Sequence, residues 1–279
     1  MSAEPIGLIA GSGRFPVLFA QEARRRGSRV VAVALKGVTD VPALEAAADE
    51  VRGFALGQVT GPLDFLKGAG VKRVVMAGKV QHVSLFGGVI PDFRAVKILA
   101  GLKDRRTDTI LSAIADEFKK EGLEVLSSAT YLSHLIAAAG PLSKRRPSAA
   151  EEADAALGWK AAKALAGLDV GQSVVVQGKA VVAVEAMEGT DATVRRAAEL
   201  VRSNGDAPKL VVVKVAKPRQ DFRFDLPVVG LETLAVLKEA GATALALEAG
   251  KTLIFDREAF ARGADAQDLA VWAISGEDV

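Results

Sequence analysis

The densest concentration of residues able to work on phosphate lies between Lys209 and Thr233, in KLVVVKVAKPRQDFRFDLPVVGLET. Lys214, Lys217, Arg219 and Arg223 supply positive charge there, and Asp221 and Asp225 supply carboxylates. Cations beside carboxylates at the end of a buried strand are what a metal-assisted phosphate reaction needs. The carboxylates suit an oxygen-ligated Mg²⁺, and the cations suit phosphate oxygens. Pro218 and Pro227 forbid a helix through the stretch, because proline lacks an N–H and restricts the residue before it. Asp221 and Asp225 therefore cannot be brought together by helical spacing, and in an extended chain they share only a side parity. A solvated loop of mixed charge is the plainer alternative.

Four other stretches carry candidate groups. In Glu188-Gly189-Thr190-Asp191 a strand ends, glycine turns the chain, and a hydroxyl and a carboxylate stand at a helix start; a simple helix cap is the competing explanation. Gly11-Ser12-Gly13 opens a helix after the first strand, where backbone N–H groups and the helix dipole favour an anion. A dinucleotide fingerprint would need glycine where Pro16 stands and an acid where Lys36 and Gly37 stand. That leaves a nucleotide or phosphate contact, or a plain tight turn. Gly78-Lys79, with Gln81 and His82, ends a strand, the end at which open α/β sheets bind ligands. Asp104 to Asp108 opens a helix with Arg105 and Arg106, the wrong sign for its dipole, which hints at an anionic partner beside the capping explanation. His82 and His134 are the only histidines, and neither sits in a zinc-binding spacing; Ser12 has no G-x-S-x-G elbow.

The elements that must position these groups alternate. Ile6–Ala10, Arg29–Leu35 and Lys72–Ala77 read as buried strands, with Phe54–Leu56 and Leu123–Leu126 as shorter ones. Between them Arg14–Arg26, Ala43–Glu50, Thr60–Ala69, Pro91–Leu102 and Thr107–Glu121 read as helices, and Leu132–Ala139 as a short one. Thr60 is the expected cap of its helix; in the fourth, Phe93, Val96, Leu99 and Ala100 share one side. This rhythm predicts an N-terminal Rossmann-like domain with a parallel sheet over residues 1–142. The polar stretch Ser143–Ser148 is the linker candidate. A C-terminal mixed α/β domain follows over 148–279, carrying the charged loop. It opens on a Ser148–Glu151 capping box, and its strands Gln172–Gln177 and Ala180–Ala186 turn at Gly178-Lys179. Helices follow at Ala192–Arg202 and up to Ala240, with strands at Ala244–Leu247, Thr252–Phe255 and Leu269–Ile274.

Composition narrows the classes. The 279 residues are half apolar and a quarter charged with net charge +2, an ordinary globular balance that indicates no nucleic-acid partner. Absence of cysteine excludes disulfides, thiolate metal sites and cysteine nucleophiles together, and suits a reducing, cytoplasmic compartment. No signal peptide and no spanning segment is expected from the N-terminus or the apolar runs, so any membrane association would be peripheral.

Together these stretches resemble the UDP-2,3-diacylglucosamine pyrophosphatases of lipid A biosynthesis, the LpxI family. The resemblance is collinear through GLIAGSGRFP at 7–16, AGKV at 77–80, KDRRTD at 103–108, VEAMEGTD at 184–191 and KPRQDFRFDLPVVG at 217–230. It implies a hydrolase dependent on Mg²⁺ (or Mn²⁺) that cleaves UDP-2,3-diacylglucosamine to UMP and 2,3-diacylglucosamine 1-phosphate, lipid X, by attack on the phosphorus nearer the sugar. It further implies two α/β domains holding the lipid product between them, and an essential aspartate at Asp225. On that reading Asp225 and Asp221 are the catalytic candidates, and Asp225, Asp191 and Glu185 the metal ligands. Lys214, Lys217 and Arg223 would neutralise phosphate oxygens. Gly11, Ser12, Gly13, Lys79, Gln81 and Thr190 would hold the nucleotide or sugar phosphate, and segments such as Leu85-Phe86 would line an acyl groove. Peripheral contact with the inner face of the inner membrane would follow from the acylated substrate, and a homodimer is the base-rate expectation. A non-hydrolytic sugar-nucleotide sensor, or an NAD(P)-type oxidoreductase on the same sheet, is the competing class.

Overall fold

A computed structural model describes residues 4–80, 90–104, 107–218, 220–224 and 226–276, with the side chains of 107 and 108 excepted. The chain makes two compact units: one reaches Ser133 and includes residues 221–224, and the other comprises His134–Gln220 and the chain from Leu226.

The N-terminal unit is a five-stranded parallel sheet of order β3-β2-β1-β4-β5, formed by β1 (Ile6–Ala10), β2 (Val30–Leu35), β3 (Glu50–Phe54), β4 (Arg73–Ala77) and β5 (Glu124–Val125). Strands buried on both faces need near-continuous apolar runs. IGLIA, VVAVAL and RVVMA supply them. Helix α1 (Phe15–Arg25) packs on β1, β2 and β4, beside α2 (Val41–Ala47). On the core shared by Val31, Val33, Val74 and Met76 lie Leu63, Phe65 and Leu66 of α3 (Thr60–Gly68), Ala95 of α4 (Phe93–Ala100), and Ala115 and Phe118 of α5 (Thr107–Lys120). Burial of each such Leu, Val or Phe contributes about 1.5–3 kcal/mol.

Two expectations change here. Thr60 does not cap α3: the Asp92 carboxylate does, accepting from Val59 N at 2.9 Å and Thr60 N at 2.8 Å. Its other oxygen accepts from Ala95 N at 2.8 Å and caps α4, so one side chain starts two helices. Held by that cap and by Arg94 on Glu117 and Glu121, α4 buries Ala95, packs Ile98 partly on the core and leaves Phe93, Val96 and Leu99 outside. Phe93 is 86% and Val96 48% exposed, the reverse of what an apolar stripe suggests. Burial pushes the Asp92 carboxyl up, but the backbone N–H bonds outweigh it and hold its pKa below the ordinary value. Its contribution is thus complete above about pH 4 and is lost as acid protonates the carboxylate through its lowered pKa. Asp92→Ala is expected to cost about 2–3 kcal/mol, two caps at about 1 kcal/mol each plus a stranded N–H, in urea unfolding at pH 7.

The C-terminal unit has a six-stranded mixed sheet of order β6-β13-β11-β9-β7-β8. Its strands are β6 (Gly140–Pro141), β7 (Ser173–Gln177), β8 (Ala180–Val184), β9 (Leu210–Lys214), β11 (Ala242–Glu248) and β13 (Ala270–Ile274), while β10 (Val228–Val229) pairs separately with β12 (Leu253–Ile254). β9, β11 and β13 run parallel, and the expected β7–β8 hairpin is antiparallel. Period-two alternation in LVVVK sends Val211 and Val213 to one face, against Trp159 and Ala162 of α6 (Ala149–Gly167). Leu210 and Val212 go to the other, with Val194 and Ala198 of α7 (Thr190–Ser203), Leu234 of α8 (Leu231–Ala240) and Phe260 of α9 (Arg257–Ala266). Gly158 lets α6 lie close on β9, since a Cβ there would meet Val213 Cγ2 at 2.6 Å. The Ser148–Glu151 capping box is present.

The helix expected at Leu132–Ala139 is only a 3₁₀ turn, Ser133–Leu135. Ala137 N–H donates to Thr252 O, Ile136 bridges Leu253, and Gly140–Pro141 pairs with β13, so sheet pairing takes the backbone bonds a helix would use. The stretch 143–148 is docked within this unit, through Lys144 N on Asp265 and Val271 N on the Ser143 hydroxyl.

Candidate active site

At the C-terminal edge of the N-terminal sheet, β1 is flanked by β2 on one side and β4 on the other. The strand order reverses there, and open α/β sheets bind ligands at such points. Gly11, Ser12 and Lys79 meet at this place. Ser12 N donates to Lys79 O at 2.8 Å, Lys79 N to Ser12 O at 3.0 Å, and the Ser12 hydroxyl to Lys79 O at 2.9 Å. A Cβ on Gly11 would meet Lys79 O at 2.7 Å and one on Gly78 would meet Ser12 O at 2.7 Å, so only paired glycines let the two turns zip together. Because Gly11 N also donates to Ala77 O, the Gly11 and Ser12 N–H groups are committed to the protein. Gly13 and the Lys79 side chain are exposed. Gln81 and His82, the acyl-groove pair Leu85-Phe86, and Arg105 and Arg106 lie outside the described residues.

At one edge of the C-terminal sheet, Glu185, Thr190 and Lys214 come together. β9 ends in Lys214, β8 runs into Glu185, β7 begins at Ser173, and α7 starts at Thr190. Lys214 Nζ donates to Thr190 Oγ1 at 2.9 Å, Thr190 Oγ1 donates to Glu185 Oε1 at 3.1 Å, and the Ser173 hydroxyl lies 3.1 Å from Thr190 Oγ1. A hydroxyl has one proton and two lone pairs. With the proton on Glu185 and the lone pairs toward Lys214 and Ser173, Thr190 is fully used and its rotamer is fixed. Lys214 is 8%, Glu185 7% and Ser173 1% exposed. Gly189 at φ 83° is the N-cap of α7 with no side-chain cap bond, so neither Thr190 nor Asp191 serves as the cap. Asp191 is exposed in the first turn, where its charge complements the dipole. What results is a buried ammonium beside the uncapped start of a 14-residue helix, a setting for an anion.

The rest of the charged loop is divided. Lys217 pairs with Asp169 in the C-terminal unit. Residues 221–224 belong with the N-terminal unit, where Ser128 N donates to Phe222 O at 2.8 Å and Phe224 packs on the core. Arg223 and Asp221 grip each other, with Nη2 to Oδ2 at 2.6 Å and Nε to Oδ1 at 3.0 Å. The Arg223 guanidinium holds the Asp221 carboxyl below the usual carboxylate range. Arg219 and Asp225 lie outside the described residues.

As a metal centre the described residues fall short. No group of three or more His, Asp or Glu side chains among them is arranged to hold an ion. Glu185 is occupied by Thr190 Oγ1 and by Gln172 N at 3.3 Å. Sequence reading passed over Lys163, Lys251 and Glu248 altogether. The available signal was a carboxylate closing the apolar run Ala244–Leu247 with a lysine three residues on.

Comparison with known proteins agrees with the motifs. Residues 5–135 match the LpxI N-terminal domain and residues 138–272 the LpxI C-terminal domain. A relative from Caulobacter vibrioides, named UDP-2,3-diacylglucosamine pyrophosphatase LpxI, is 33% identical over 281 residues, covering 98% of each chain. Among solved structures, the biotin carboxylase subunit of pyruvate carboxylase is similar at TM-score 0.26 and 12% identity, over 74% of this chain and 43% of that one, an overlap too loose to carry an argument. With both domain families matched in order and a relative similar from end to end, the chain belongs to the LpxI family.

Proposed function

We propose that the protein hydrolyses the pyrophosphate bond of UDP-2,3-diacylglucosamine, releasing UMP and 2,3-diacylglucosamine 1-phosphate. The substrate comes from the name of the Caulobacter relative. The observation that carries the reading in this chain is Lys214, buried and bonded to Thr190 at the start of α7. A pyrophosphate brings about two negative charges that must be neutralised while water attacks in line. The Lys214 ammonium and the N–H groups of the first turn of α7 receive phosphate oxygens. Thr190, locked by Glu185, keeps the ammonium aimed. Water oxygen bonds to the phosphorus nearer the sugar, the bond from that phosphorus to the bridging oxygen breaks, and UMP leaves. Asp225 orients the water, a role that rests on the family resemblance. The strand order 3-2-1-4-5 supports reading the N-terminal sheet as Rossmann-like.

Divalent-metal dependence belongs to the same proposal and rests on the resemblance alone. No helix among the described residues is long and apolar enough to cross a membrane, and the acylated substrate is proposed to be met peripherally at the bilayer. The test is UMP release from purified protein given the acylated sugar nucleotide, with Mg²⁺, with EDTA, and with the deacylated analogue. Release with Mg²⁺, suppression by EDTA and preference for the acylated substrate are expected. Nucleotide binding without UMP release would instead identify a sensor.

A further inference from the structure

Lys163 and Glu248 grip the peptide on both sides of Ala216, between Lys214, which the reaction above calls on, and Lys217. Glu248, 3% exposed at the end of β11, accepts Ala216 N at 2.7 Å on Oε2. Lys163 Nζ reaches Glu248 Oε1 at 2.8 Å and Oε2 at 2.7 Å, and also donates to Ala216 O at 3.2 Å. Lys251 Nζ closes on Oε1 at 2.8 Å. The preceding residue is held from elsewhere, Val215 N donating to Gln172 O at 2.9 Å. From Lys214 to Lys217 the chain therefore leaves β9 along one fixed path, and the turn after it is closed by Lys217 N on Gln220 Oε1 at 2.8 Å.

Cohesion alone does not explain such a device. Taking a carboxylate out of water costs several kcal/mol, and an apolar replacement of a buried ion pair is often as stable. What the network supplies beyond cohesion is direction: it fixes an N–H and a C=O of the same residue, which apolar packing cannot do.

We propose that Glu248 and Lys163 are positioning residues that set the path from Lys214 to Lys217 so that the Lys214 ammonium meets the phosphates in the transition state. This rests on the hydrolase reading. Burial pushes the Glu248 carboxyl up, yet Lys163, Lys251 and the Ala216 N–H together hold its pKa below the ordinary value, so the clamp stays ionised at neutral pH.

Glu248→Asp shortens the carboxylate by one methylene and tests the clamp without removing its charge. The measurements are amide hydrogen exchange at Ala216, thermal melting, and kcat and KM for UMP release. Ala216 is expected to exchange about tenfold faster or more, with Val211 to Val213 still protected. Displacement on the order of 1 Å is expected to lower kcat about 10- to 100-fold, with KM changed less. Lys163→Met repeats the loss and Lys163→Arg restores most of it. If wild-type protein releases no UMP, the hydrolase reading fails and the role fails with it. If wild type is active and Glu248→Asp keeps its kcat, or leaves Ala216 protected, the clamp alone is overturned.

Discussion

Lys214→Met lowers kcat/KM for UMP release about 10²- to 10³-fold while the protein remains folded, the loss typical of removing one preorganised donor to developing charge. Methionine keeps the length and apolar volume of the stem that lies buried at the end of β9 and deletes only the ammonium. The bond to Thr190 Oγ1 that the folded state loses is worth roughly 1–2 kcal/mol, far less than the expected loss of activity. The transition state loses a charge already desolvated and aimed, which is why activity should fall much further than stability. Lys214→Arg is not a rescue. A planar fork does not fit where a compact ammonium sits between a threonine hydroxyl and a helix start, so arginine should recover less than a tenth of wild-type activity. Steady-state kinetics with a melting curve for each variant decides the matter. A methionine variant within threefold of wild type would remove Lys214 from the chemistry.

Why Lys214 was legible in the sequence, and its neighbours only partly so, follows from how each is held. A lysine closing LVVVK must be buried by continuity with the strand, and a threonine after Glu-Gly must sit at a helix start; both facts are local. Their meeting is not local, since Lys214 and Thr190 lie 24 residues apart and are brought together by the packing of α7 on β9. The parallel N-terminal sheet, the hairpin at Gly178-Lys179 and the capping box at Ser148 were readable because each rests on a short-range pattern. The α4 stripe misled because periodicity reports that a face is apolar, not that anything covers it; Asp92 and Arg94 decided which side packs. The helix expected near Leu132 failed because β13 and the Thr252 carbonyl claimed its backbone groups. The Lys163–Glu248 clamp was invisible for the same reason, its partners lying 85 residues apart.

Asp225→Asn and Asp221→Asn, which spacing alone treats alike, are expected to separate sharply. Asp221 is held by Arg223 through Nε and Nη2, with the Arg223 backbone N–H on Oδ1 at 3.0 Å, all within residues that pack with the N-terminal unit. A carboxylate so committed has little left for a water or an ion. At roughly a third exposed it is worth about 0–1 kcal/mol to the fold. Since Arg223 lowers its pKa, that contribution is present above the ordinary aspartate value near 3.9 and is lost as pH falls through the lowered one. Asp221→Asn should therefore cost at most about threefold in kcat and slightly flatten the acid limb of stability. In the proposed reaction Asp225 orients the attacking water, where a missing charge costs on the order of 10²- to 10⁴-fold, and its asparagine variant is expected to turn over at that deficit. Both variants are read in one UMP-release assay beside their melting curves. Equal losses of 10²-fold or more would mean that Arg223 releases Asp221 during turnover and that the pair acts together. A full loss at Asp225 with Asp221 near wild type assigns the chemistry to Asp225 and leaves Asp221, with Arg223, to hold the loop.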